Sequence, residues 1–124
     1  MSKFFIEDGE VERLTFGDGE WVDLKLEFTQ LDRDYMLQQM ASAETVDVEK
    51  GGQTVKDVRV SLTMGRIALL ERGIVAWSFK NDAGKPVPVN RDSVSRLRGC
   101  YREPTLEKID ALSKEAEAYV RKNS

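Results

Sequence analysis

The sequence predicts an α+β domain, an N-terminal antiparallel β-meander followed by three to four α-helices. Two patterns carry this expectation. Within the β-rich residues 1–28, the stretch 21–28 alternates apolar and polar side chains at the period of two that a half-buried strand requires. From residue 29 onward, apolar residues recur at the helical spacing of three and four. The 124 residues have the length of one domain, β-rich over 1–28 and mostly helical over 29–124.

The elements follow in order. Phe4, Phe5 and Ile6 form a short apolar run, and Asp8-Gly9 signals a turn. Val11 to Phe16 reads as a second strand, with Leu14 and Phe16 on one face. After a turn at Gly17-Asp18-Gly19, the stretch Trp21 to Phe28 alternates cleanly. Val22, Leu24, Leu26 and Phe28 face one way, and Trp21, Asp23, Lys25 and Glu27 the other. These three segments are expected to form the meander.

Thr29-Gln30-Leu31-Asp32 resembles a capping box with an acid at its fourth position. It predicts a helix over 30–42, with Leu31, Tyr35, Met36 and Met40 along one stripe. Residues 43–54 are polar and contain Gly51-Gly52, so a mobile loop is expected there. The β-branched stretch Val55 to Leu62 fits either a strand or a lead into the next helix. A core helix is expected over 61–78, its stripe running from Met64 and Ile67 to Ile74, Val75 and Trp77.

Asn81 to Gly84 reads as a turn. Lys85 to Val89 reads as extended, because each proline pushes its predecessor out of helical geometry. Asn90 is positioned to cap a short helix reaching Arg98. Pro104 fits the first turn of a last helix ending near Lys122, with Leu106, Ile109, Leu112, Ala116 and Tyr119 on its apolar face.

Composition narrows the function. The chain has no histidine, which removes the commonest general base and metal ligand. Cys100 is the single cysteine, so no internal disulfide can form, as in a reducing compartment. Its surroundings lack a base, and it reads as a small, partly buried apolar residue. Net charge is −3, with an acidic pI of about 5.1, which disfavours nucleic acid and membrane surfaces as partners. The longest apolar stretch, Ile67 to Phe79, is broken by Glu71 and Arg72 and is too short to span a bilayer. No signal peptide is expected in Met1 to Glu7.

Charge is divided along the chain, −8 over residues 1–50 and +5 over 51–124. This suits two attracting layers within one fold better than head-to-tail self-association into a homo-oligomer or an acidic partner for the C-terminal half. The acid pairs Asp32/Asp34 and Asp47/Glu49 lie in polar stretches and read as solvated surface. Neither a phosphate-binding loop nor a dinucleotide fingerprint is present. No catalytic, cofactor-binding or metal-binding residue emerges, and no cofactor is expected. Arg91, Arg96, Arg98 and Arg102 beside Tyr101 form a basic cluster that suits an ion-paired surface better than a nucleic-acid contact. Trp77 and Phe79 read as core packing or as aromatic anchors for a protein partner. Trp21, on the polar face of its strand, is either covered or used in an interface.

One segment carries a family resemblance. Ile74-Val75-Ala76-Trp77-Ser78-Phe79-Lys80-Asn81-Asp82-Ala83-Gly84-Lys85-Pro86-Val87-Pro88-Val89 is similar to the middle of the tail assembly chaperones of long-tailed bacteriophages and prophages. Asp18-Gly19-Glu20-Trp21-Val22-Asp23-Leu24-Lys25 resembles their N-terminal strand, and 105–122 their closing helix. Trp77, Gly84, Pro86 and Pro88 stand at the signature positions. The resemblance implies a non-catalytic protein of the host-cell cytoplasm that binds the tape-measure protein and recruits tail-tube subunits. Together with the aromatic candidates Trp21 and Phe79, the signature positions Trp77, Gly84, Pro86 and Pro88 are the candidate protein-binding residues. A structural virion component, such as a head-closure or tail-completion protein, and a small nucleic-acid-binding regulator remain alternatives.

Overall fold

The computed structural model describes residues 3–41, 45–58 and 62–123. The α+β class holds, with an antiparallel sheet and four helices. In chain order the elements are β1 (Val11–Thr15), β2 (Trp21–Lys25), α1 (Gln30–Ala41), β3 (Thr45–Lys50) and β4 (Gln53–Val58). They continue with α2 (Leu62–Gly73), β5 (Ile74–Trp77), α3 (Arg91–Ser95) and α4 (Gly99–Asn123).

The main sheet has the order β1-β2-β5 and is antiparallel throughout. Its third strand is not the one expected, because Phe4 to Ile6 form no strand and β5 takes the place beside β2. The helix expected over 61–78 therefore ends at Gly73, and Trp77 lies on a strand. Four residues are too few to reveal a period, so Ile74, Val75 and Trp77 fit a helical stripe equally well. Their β-branched and aromatic side chains and the free edge of β2 decide for the strand. A β-bulge between Asp23 and Leu24 leaves Val75 without an opposite residue, and Val75 points to solvent.

The alternation in β2 holds. Val22 and Leu24 are fully buried, and Phe28 closes the same core. Leu70, Ile74, Val94, Ile109 and Leu112 join them, so that α2, α3 and α4 cover the inner face. Gly73 permits this approach. A Cβ there would lie 2.9 Å from Ile109 Cδ1 and 3.4 Å from the Phe28 ring.

The start of α1 is the expected box. The Thr29 N–H donates to Asp32 Oδ2 at 3.1 Å, and the Asp32 N–H donates to Thr29 Oγ1 at 3.1 Å. Asp32 is buried rather than solvated, since Lys25 Nζ reaches it at 2.9 Å. Burial pushes its carboxyl up, but the bonds from Lys25 and Thr29 and the Lys25 charge outweigh this and hold it below the usual carboxylate range. Leu31 leaves the expected stripe and is 80% exposed, because the cap points Asp32 inward instead.

Most of the loop expected over 43–54 is a hairpin. β3 pairs with β4 from Thr45↔Val58 to Lys50↔Gln53, around Gly51-Gly52 at φ of 60° and 82°. Two consecutive positive φ angles are what a tight hairpin turn demands, and two glycines meet that demand without strain. Residues 42–44 and 59–61 of the earlier expectations lie outside the described residues.

Asn90 caps α3 as expected, but the helix ends at Ser95 and does not reach Arg98. The Asn90 Oδ1 accepts from the Ser93 N–H at 2.9 Å, and its own N–H donates to Ser93 Oγ at 3.0 Å. α4 begins at Gly99, five residues before Pro104, which therefore sits inside the helix. The Arg98 carbonyl accepts from the Tyr101 and Arg102 N–H groups at 3.0 and 2.8 Å, which forms a first turn before the proline is reached. Ile109 and Leu112 of the expected apolar face are buried. The Tyr119 side chain lies outside the described ones. Cys100 is exposed, since the early helix start turns it outward.

Candidate functional site

The residues singled out in the sequence converge on one end of the main sheet. Val22 pairs with both Leu14 and Trp77, so Trp77 shares the core face with them. Trp21 pairs with Thr15 and belongs to the opposite face, beside Arg13 and Asp23. The two tryptophans thus approach the end of the sheet from its two sides. Between them runs an open groove of about 560 Å3, lined by Trp21, Trp77, Phe79 and Pro86 with Glu20, Lys80 and others. Four of the six candidate residues line this groove. Gly84 and Pro88 lie outside it and shape its wall.

That wall is the loop that follows β5. Lys80 and Pro86 form an isolated antiparallel bridge, and the Val87 N–H donates to the Phe79 carbonyl at 3.2 Å. At the tip, Asn81 Oδ1 accepts from the Ala83 and Lys85 N–H groups at 3.0 Å each. Gly84 has a φ of 76°, which only glycine adopts without cost, and its N–H donates to the Asn81 carbonyl at 2.9 Å. Trp77 Nε1 donates to the Val87 carbonyl at 2.6 Å, tying the loop back to the sheet. The Pro88 carbonyl accepts from Ser93 Oγ at 2.7 Å, joining the loop to the cap of α3.

Beneath the groove lies an aromatic cluster. Phe79 stands 5.2 Å from Trp77, 5.1 Å from Tyr101 and 6.2 Å from Phe16, centroid to centroid. Tyr101 meets Phe16 edge-on at 4.9 Å. Such offset and edge-on contacts favour a defined arrangement over a fluid one. The Tyr101 hydroxyl donates to Asp18, whose other oxygen accepts from the Glu20 N–H at 2.9 Å. The bond to Asp18, followed by burial, pushes the Tyr101 hydroxyl up to about 12. The same bond, with the Glu20 N–H, holds the Asp18 carboxyl below its ordinary value.

The Trp21 side is fixed separately. The Arg13 guanidinium stacks 3.7 Å from the Trp21 ring and forks onto Asp23 at 2.8 and 3.1 Å. The Trp21 N–H donates to Ser78 Oγ at 2.8 Å, and the Ser78 hydroxyl donates to Glu20. Glu20 and Lys80 bring one charge of each sign to the groove. Sequence reading missed Phe16, Asp18 and Tyr101 as supports, because they meet only through tertiary folding. A visible hint was Tyr101 beside the arginines.

Three of the four arginines of the basic cluster have side-chain partners. Arg96 pairs with Asp92 at 3.1 Å, Arg102 with Glu103 at 3.1 Å, and Arg91 donates to Gln39 and to the Tyr35 hydroxyl. Among the described residues, no group of three or more histidine, cysteine or acidic side chains is placed to hold a metal ion. No described helix is long and apolar enough to cross a membrane.

Fold and groove together define an α+β domain with an open aromatic trough at one end of its main sheet. In comparison with known proteins, no family model, no curated protein and no solved structure matches the chain.

Proposed function

We propose that this protein is a non-catalytic tail assembly chaperone, which binds the tape-measure protein and recruits tail-tube subunits in the cytoplasm of the bacterial host. The observation that carries the reading is the groove itself. The segment Trp77 to Val89, which resembles that family, builds one wall of an open aromatic trough, and Trp21 from the other resembling segment supplies part of the opposite side. Half-buried tryptophans held by hydrogen bonds and stacking lose little freedom when a partner docks, and such aromatics dominate binding energy at protein interfaces.

The test is co-expression with the tape-measure protein encoded in the same genome. A soluble complex is expected, and Trp21→Ala should abolish it while the variant stays folded. Trp21 is suited to this because its backbone bonds survive any side chain. An insoluble, unbound tape-measure protein sinks the reading. Peptides of this chain at fixed copy number in purified virions would move it to the structural class instead.

A further inference from the structure

A second surface, away from the aromatic groove, combines exposed apolar side chains with an acidic border. Phe4 is 81% exposed, Phe5 76% and Ile6 40%. They form one wall of a trough of about 330 Å3. Leu26 lies on its floor, and Leu112 and Ala116, one helical turn apart on α4, form the other wall. A second depression of about 200 Å3 continues it, sharing Ile6, Glu10 and Glu27, and ends at the exposed Val75 that the β-bulge turned outward.

The border is mainly acidic. Glu7, Asp8, Glu10, Glu27 and Glu115 line the two depressions, against Lys3 and Lys25. Lys25 is already paired with Asp32, and Lys3 lies over the Phe4 ring at 5.6 Å. Five carboxylates around an apolar floor repel an anionic partner or membrane and favour cations flanking an apolar stripe. α4 presents one turn to the trough, Leu112, Glu115 and Ala116, alongside which an occupant can lie.

We infer that this trough is a docking site for an amphipathic helix whose apolar stripe is flanked by lysine or arginine, laid alongside α4 between Leu112–Ala116 and Phe4–Ile6. The site goes beyond the function proposed above and does not depend on it, since it shares no residue with the aromatic groove.

The experiment uses the full chain and two labelled synthetic peptides of about 18 residues, long enough to hold a helix. Both carry the same leucine stripe, one on a lysine face and one on a glutamate face. Fluorescence anisotropy should show one-to-one binding of the leucine–lysine peptide, about tenfold tighter than that of the leucine–glutamate peptide. The Phe4→Ser/Phe5→Ser variant should lose this binding. The Glu10→Lys/Glu27→Lys/Glu115→Lys variant should reverse the preference between peptides. Because every changed side chain is at least partly accessible, circular dichroism melting should find both variants folded, and Trp21→Ala should bind the peptide as the parent does. Equal affinity for the two peptides overturns the inference, as does binding indifferent to the phenylalanines in a folded variant. Sedimentation that finds a dimer dissolved by Phe4→Ser/Phe5→Ser would assign the trough to a second copy and overturn it equally.

Discussion

The two troughs of this molecule are built on opposite principles. At the aromatic end, Trp77, Phe79 and Trp21 are each held by something specific: an indole N–H on the Val87 carbonyl, a ring cluster, a guanidinium stacked on the second indole. At the other end, Phe4 and Phe5 stand largely in water beside an acidic border. The first surface has already given up its freedom to the fold. The second leaves more of its apolar area exposed to solvent. The difference teaches that exposure and aromaticity are separate clues. A half-buried tryptophan contributes to stability and recognition together, whereas an exposed phenylalanine contributes little to stability.

The sharpest way to break this contrast is Trp77→Ala. The substitution removes a ring packed against the core and the bond that holds the following loop to the sheet. Truncating a large core aromatic costs about 3–5 kcal/mol, and half-burial places the expected loss near about 3 kcal/mol. Urea unfolding should show it as a lower midpoint with little change in slope. A loss below about 1 kcal/mol would mean that the loop and ring cluster stand without the indole, and the rigid end would not be rigid.

A smaller effect isolates the wall of the groove. Gly84 has open space where a Cβ would go, so Gly84→Ala meets no clash and tests the positive φ alone. Left-handed backbone costs a non-glycine residue about 1 kcal/mol. The variant should lose about that much in thermal or chemical denaturation, whereas Trp77→Ala should lose several times more. If Gly84→Ala is as stable as the parent, the turn is free to relax and the wall is softer than its hydrogen bonds imply.

How much of this contrast could be read in the sequence depends on distance along the chain. The caps were legible, because Thr29 meets Asp32 and Asn90 meets Ser93 within one turn. β2 was legible because Val22 and Leu24 alternate against Asp23 and Lys25. β5 was not, since Ile74 to Trp77 continue a helical stripe as well as they form a strand and only β2 decides. The β3–β4 hairpin was hidden for a different reason, as Gly51-Gly52 suits a loose linker and a tight turn equally. Of the groove, the sequence marked Trp21, Trp77, Phe79 and Pro86 individually. Their convergence, and the support from Phe16 and Tyr101, follow from strand register and from the early start of α4, which no local pattern announces.

Titration distinguishes the two ends without any change of sequence. Tyr101 has its hydroxyl pushed up to about 12 in the folded chain, against about 10 in an unfolded one. A raised value means that the folded state favours the neutral form, so the contribution is fully present below about pH 10 and is lost as pH rises toward 12. Asp18 is held low by the same bond, so its share is present above about pH 4 and fades as pH falls through its folded value. This one hydrogen bond should therefore add to a decline in stability at both extremes, and Tyr101→Phe should reduce the alkaline decline. Following tryptophan fluorescence should locate the alkaline change at the aromatic end. An alkaline decline unchanged in Tyr101→Phe would place its origin elsewhere.

The smallest expected effect completes the comparison from the other side. Phe5→Ser removes an apolar ring that is 76% exposed, and a surface change of this kind stays within about 0.5 kcal/mol. The same substitution reduces the apolar area of the acidic trough, so it should weaken the amphipathic helical peptide while leaving the denaturation midpoint in place. That separation is what distinguishes a surface reserved for a partner from one used by the fold. If Phe5→Ser lowers stability by more than about 1 kcal/mol, the N-terminal segment is part of the core's covering. The two troughs would then differ in degree of packing rather than in purpose.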